Sequence, residues 1–174
     1  MKIAASNKTI TGLENHDAWR RIFGILSWIN IYNPNRSSRD LYATTIHELA
    51  HASHWNIDHS DFNNTSDKVK ESWCRGVQWE LTRMVYFDYR GGGTLRPDYI
   101  QVVVDMIDPN YPSSSFSDNL TNGLWNDNVT GYTIRQIEDA LAGATSWDSW
   151  KNRIKSKYNN GTENNLDALF NYWN

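Results

Sequence analysis

Thr44-Thr45-Ile46-His47-Glu48-Leu49-Ala50-His51 is the stretch on which the reading of this chain turns. Two histidines stand four residues apart, with a glutamate directly after the first. On an α-helix, positions four apart lie one above the other on a single face. Both imidazoles can then reach one ion, while Glu48 projects beside them toward a water held on that ion. The flanking residues favour such a helix. Ser37 and Asp40, spaced as a capping box, open it, and it is expected to run to about Trp55 with Leu41, Ile46, Leu49 and Ala50 as core candidates.

Zinc in such a pattern lowers the pKa of its bound water to about 7, and a carboxylate within reach then takes the proton as the water attacks a carbonyl. A catalytic zinc needs three protein ligands and one open position. The extended pattern His-Glu-x-x-His-x-x-Gly-x-x-His is excluded, because positions 54 and 57 are His54 and Ile57. After a polar loop over residues 56–65, a second helix is expected over about residues 66–86. Val69, Trp73, Val77, Leu81 and Met84 form its apolar stripe, and Arg90-Gly91-Gly92-Gly93 ends it, glycine being free to adopt the left-handed turn of a helix end. Two glutamates on it compete for the metal. Glu71 lies 71 − 51 = 20 residues after the second histidine. Glu80 lies nine further on, about half a turn round the helix, so only one of them can face the ion. Glu80 is nearer the apolar stripe and Glu71 shares a face with Arg75 and Gln78; spacing does not choose between them.

The pairing of His-Glu-Leu-Ala-His with Glu71 on a following helix resembles the gluzincins, the thermolysin and aminopeptidase group of zinc metallopeptidases. In more detail, residues 44–55 (TTIHELAHASHW) and 71–82 (ESWCRGVQWELT) resemble exported zincin-like proteins of gut Bacteroidetes, over about 40 residues and little outside them. That resemblance implies a mainly α, zincin-like fold in which an active-site helix packs on a Glu-bearing helix, with at most a small β element near the N-terminus. It implies Zn2+ held by His47, His51 and Glu71, with Glu48 as general base, and an extracytoplasmic setting. The chain departs from the thermolysin pattern at Arg75, where an aspartate would orient a ligand histidine, and in having no histidine after His59 to stabilise an oxyanion. A tyrosine, as in the aminopeptidase branch, would have to serve. Tyr132, at a helix start, is the first choice, with Tyr86, Tyr89, Tyr99 and Tyr111 behind it.

Composition narrows the alternatives. A length of 174 residues fits one domain over the whole chain, either complete or the catalytic fragment of a longer protein. A net charge of −3 with scattered Lys and Arg argues against nucleic acid as a partner. One cysteine, Cys74, excludes an internal disulfide and any Cys-rich zinc site, and mid-helix it reads as a small buried apolar residue. No run approaches the roughly 20 apolar residues that cross a bilayer, so no membrane-spanning segment is expected. Polar residues 2–9 show no signal peptide. Nine Trp and nine Tyr read first as core filling and second as a peptide- or glycan-binding cleft.

The remaining elements are expected as follows. Residues 15–29 carry a helical stripe of Trp19, Ile22, Phe23, Leu26 and Ile29 behind an Asn15 cap, and Asn33-Pro34-Asn35 turns the chain after a short strand over residues 29–32. Residues 97–107 favour helix despite Val102-Val103-Val104, and residues 108–129 form a long loop beside the cleft. Thr133 with Gln136 opens a helix ending near Gly143, Thr145 with Asp148 opens another ending near Tyr158, and residues 163–173 carry a last short one. His54 falls near the ligand face, either as a hydrogen-bond donor behind the ligands or lining the cleft, or else as a solvated or core-edge histidine, while His59 and Asp61 read as surface groups. The expected function is hydrolysis of peptide bonds in a peptide or protein substrate. The alternatives are an inactive zincin-fold module that binds peptide or glycan, and a scaffold without metal; oligomeric state is not legible.

Overall fold

The computed structural model describes residues 2–5, 15–17, 28–31, 37–89, 100–107 and 128–174. Among them helix predominates, with one small sheet at the N-terminal end. Strands β1 (Lys2–Ala5), β2 (Asn15–Asp17) and β3 (Trp28–Ile31) are ordered β1-β3-β2, with β1 parallel and β2 antiparallel to the central β3. Ile29 and Ile31, two apart on one face of β3, are buried, as the period of a strand requires. The helix expected over residues 15–29 is therefore corrected at both ends, which hydrogen-bond as strands; residues 18–27 lie outside the described residues, as does the turn at residues 32–36. The short strand expected at residues 29–32 is present in β3.

Helix α1 (Ser38–Ile57) packs against β3 and β2 on one side and against α2 (Asp67–Arg83) on another. Ser37 caps α1, its hydroxyl accepting from Asp40 N at 3.1 Å. The buried stripe of α1 is not the one expected. Leu41, Ile46 and Leu49 are not all core residues: Leu41 and Leu49 are only half-buried, and Ile46 packs at the edge of the main core. Ala43, His47, Ala50 and His54, at steps of four, three and four, are the buried face. Alanines there let the helix axes approach, and the histidines fill the remaining space.

Helix α2 is central, contacting α1, α3 (Val102–Ile107) and α5 (Trp147–Lys157), so it is buried nearly all round. Val69, Trp73 and Val77 lie in the core as expected, and Leu81 packs on its edge. Met84 does not: α2 stops at Arg83, the chain turns, and Met84 is 74% exposed. The glycine run at residues 91–93 lies outside the described residues and does not end this helix. Gly76 is required by packing, since a Cβ built there would fall 2.2 Å from Val103 Cβ. This contact explains why three consecutive valines are helical in α3: all three are buried, and tertiary packing outweighs their strand preference.

The C-terminal third closes the main core. Helix α4 (Ile134–Asp139) opens with the expected Thr133/Gln136 capping box but ends four residues before Gly143. The next box is Ser146/Ser149 and not Thr145/Asp148, because the Ser149 hydroxyl accepts from the Ser146 amide at 2.9 Å; α5 then ends at Lys157, as expected. A 3-10 turn (Glu163–Asn165) leads into α6 (Leu166–Tyr172). Indole N–H groups stitch these pieces: Trp147 donates to Phe170 O at 3.0 Å and Trp150 to Ile137 O at 3.4 Å. Residues 108–127 of the expected loop lie outside the described residues. No described helix is long and apolar enough to cross a membrane.

Candidate metal centre

His47 and His51 stand one turn apart on α1, their ring centroids 5.0 Å apart and their planes at 79°. The register of the facing helix is set by Trp73, whose indole N–H reaches across to Ala50 O at 3.3 Å. Two residues earlier on α2, Glu71 presents its carboxylate to both rings. His47 Nε2 donates to Glu71 Oε2 at 3.2 Å, and His51 Nε2 lies 3.4 Å from Glu71 Oε1. Side-chain exposure is 9% for His47, 13% for His51 and 22% for Glu71, which leaves the cluster open to solvent on one side. Glu80, the competing glutamate, is turned away and bound to Arg83 Nε at 2.6 Å.

Electrostatics match this geometry. Burial alone would raise the Glu71 carboxyl, but hydrogen bonds from His47 and His51, and the charge those rings carry when protonated, outweigh it and hold the group well below the usual carboxylate range. His51 is pushed down, first by burial and then by the neighbouring His47 and Lys70, against the pull of Glu71. Its neutral form, the one with a lone pair to give, is thereby favoured. Glu48 is buried at 4% exposure, one position round the helix from His47.

Cys74 enters the cluster too. It is fully buried on α2, one turn after Glu71, and its Sγ and the ligand nitrogens of His47 and His51 all lie within 4.8 Å of one another, close enough for one cation. Burial first, and then the charges of Glu71 and Glu48, push its thiol well above the ordinary range. Its expected role was apolar filling; the place beside both imidazoles was missed. The signal was present in the spacing, because three residues after Glu71 is the next position on the same helical face.

No protein-family model, curated protein or solved structure matches this chain. Geometry alone therefore carries the chemistry of the site.

Two further expected residues lie elsewhere. Tyr132 is at 2% exposure inside the main core, where burial and then Glu163 push its phenol up to about 12. No described contact joins it to His47, Glu48, His51 or Glu71. His54 is fully buried one turn beyond His51, its ring edge-on to Phe62 at 5.0 Å. Burial, helped by the His51 charge, pushes it down to about 4, so it is a core imidazole and not a solvated one. Arg75 is buried as well, at 6% exposure. Among the other tyrosines, Tyr89 is buried in a small second cluster with Ala43, Trp79 and Val104, and Tyr86 packs edge-on against Tyr42. Tyr99 and Tyr111 lie outside the described residues.

Proposed function

We propose that this chain is a zinc-dependent peptidase of gluzincin type, in which His47, His51 and Glu71 hold the metal and Glu48 is the general base. One observation carries the reading: a single carboxylate lies 3.2 and 3.4 Å from two imidazole Nε2 atoms. Tetrahedral zinc, with bonds of about 2.0–2.2 Å to nitrogen and oxygen, places neighbouring ligand atoms about 3.3–3.5 Å apart. Each imidazole thus already stands from one Glu71 oxygen, Oε2 for His47 and Oε1 for His51, at about the separation that two ligands of the ion would have. The packing of α1 on α2, with a small sheet against α1, supports a zincin-like scaffold, and the resemblance adds an exported setting.

When bound, zinc would supply Lewis acidity and lower the pKa of a coordinated water to about 7. The rest falls to the chain. Glu48 follows His47 directly, so its carboxylate lies about 100° round the helix and beside the ligand face. It takes the proton of the attacking water on one oxygen and delivers it to the leaving amine nitrogen. His47 and His51 would each give a nitrogen lone pair to the metal, and Trp73 fixes the height of Glu71 against them. Because Glu48 binds no metal in this scheme, Glu48→Gln is expected to retain stoichiometric zinc and lose about 10²–10⁴-fold in peptide hydrolysis. Metal analysis paired with a peptide-library assay checks both halves; a Gln variant that cleaves like the parent would end the mechanism.

The burial of Tyr132 favours a second reading, a zincin-fold module that binds peptide through the same metal and turns it over slowly, since no described residue fills the oxyanion role. A hydroxamate that binds the zinc-loaded chain while the library remains uncut would select it.

A further inference from the structure

We propose that Cys74 is a fourth protein donor to the same cation, giving the site a closed state with two histidines, a glutamate and a cysteine beside the open state that lacks the sulphur. This rests on the reading of His47, His51 and Glu71 as ligands. Three observations lead to it. The sulphur belongs to one cluster with both imidazole nitrogens, all within 4.8 Å. Glu71 and Cys74 are one turn apart on the face of α2 that meets α1, with both imidazoles within reach of each. Cys74 is fully buried, so its sulphur is committed to the interior side of the cluster, while the exposed edges of His51 and Glu71 face solvent.

Ligation needs little movement. Zinc bonds of about 2.3 Å to sulphur and about 2.0–2.1 Å to nitrogen set a tetrahedral S···N separation of roughly 3.6 Å, so toward the two imidazoles the sulphur must close by at most about 1 Å, and the Glu71 carboxylate, which is not in that cluster, swings in to meet it. On ligation the S–H bond breaks heterolytically, sulphur donates the electron pair it retains, and the proton passes to solvent. Four protein donors leave no position for water, the mark of a closed centre. The open state is the one in which the sulphur stays at its longer separation and the fourth position is left to solvent. A sulphur donor also changes the ion preferred, since thiolates favour soft cations over hard ones.

Cobalt(II) tests this, with a built-in control: the chain has one cysteine, and it is buried, so any thiolate-to-cobalt charge-transfer band must come from Cys74 of the same molecule. Titrating the metal-free chain with cobalt(II) is expected to give visible ligand-field bands together with a near-ultraviolet charge-transfer band. Cys74→Ser is expected to keep the former and lose the latter, with the preference for cadmium over zinc falling by about tenfold. Ligand-field bands without charge transfer in the unaltered chain would overturn the fourth donor and leave the three-ligand site of His47, His51 and Glu71 standing. No cobalt binding at all would overturn both. The decisive spectrum needs no variant, so a misfolded Cys74→Ser chain does not blunt it.

Discussion

Glu71 and Glu80 offer the same carboxyl from the same helix, and their neighbours separate them. Glu71 has two imidazoles within 3.4 Å, whereas Glu80 is held by Arg83. Glu71→Gln is therefore expected to weaken zinc binding by at least about tenfold, and Glu80→Gln to leave it unchanged. Competition with a chromophoric chelator measures both; equal losses would remove Glu71 from the metal. His54 makes a prediction about pH. Its imidazole titrates near 6.5 in the unfolded chain and near 4 in the fold. Between these values the unfolded state binds the proton that the fold refuses. The stability associated with neutral His54 is therefore complete above about pH 6.5 and falls as pH drops toward 4, by on the order of 3 kcal/mol in all. His51 shifts in the same direction and adds to the slope. Urea midpoints of the metal-free chain, compared between neutral and mildly acidic buffer, should show the fall, and His54→Leu should flatten it. An unchanged slope in that variant would assign the effect to other groups.

Helix α2 owes its place to one missing side chain. A Cβ at Gly76 would lie 2.2 Å from both Val103 Cβ and Cγ1, so α2 and α3 touch where no alanine fits. Gly76→Ala gains about 1 kcal/mol of helix propensity but incurs overpacking at the upper end of its usual range of about 1–3 kcal/mol, for a net loss of about 2 kcal/mol. Denaturant unfolding reads the loss directly, and a variant as stable as the parent would show that the helices part easily. The same elements explain what the sequence could say. The periodicity of Val69, Trp73 and Val77 and the Ser37 cap were legible because they are local. The face of α1 was not, because the sheet takes one side of that helix while α2 selects the small and imidazole face, leaving Leu41 and Leu49 half-buried. Residues 15–17 and the start of β3 were read as helix for a related reason: Ile29 sits at a helical spacing from Leu26 and Ile22, and only pairing with residues far along the chain carries the strand back to Trp28.

At the scale of the molecule, the cluster and the C-terminal helices share one core. Ala50, Val69, Trp73 and Cys74 belong to the same apolar cluster as Trp150, Leu166 and Phe170. Metal bound to the native state should therefore stabilise the described core as a unit. At free zinc about 1,000-fold above its Kd the gain is about 4 kcal/mol, and for a chain of this size stripping the metal should lower the Tm by roughly 10 °C. Calorimetry with and without chelator measures it, and coincident curves would mean that the folded chain holds no zinc. The residues of the proposed centre were visible in sequence because His47, Glu48 and His51 lie within one stretch of helix. The place of Cys74 beside both imidazoles and the burial of Tyr132 were not, since both arise from packing between segments distant in sequence. The two contacts of Glu71 have a last consequence. A carboxylate accepts only from a nitrogen that carries a proton, so a hydrogen bond from either ring to Glu71 requires a proton on that ring's Nε2. A cation needs those same atoms bare. If zinc binds through Nε2 as proposed, loading requires each of those protons to be released to solvent, and its rate should slow in heavy water while the backbone stays where it is.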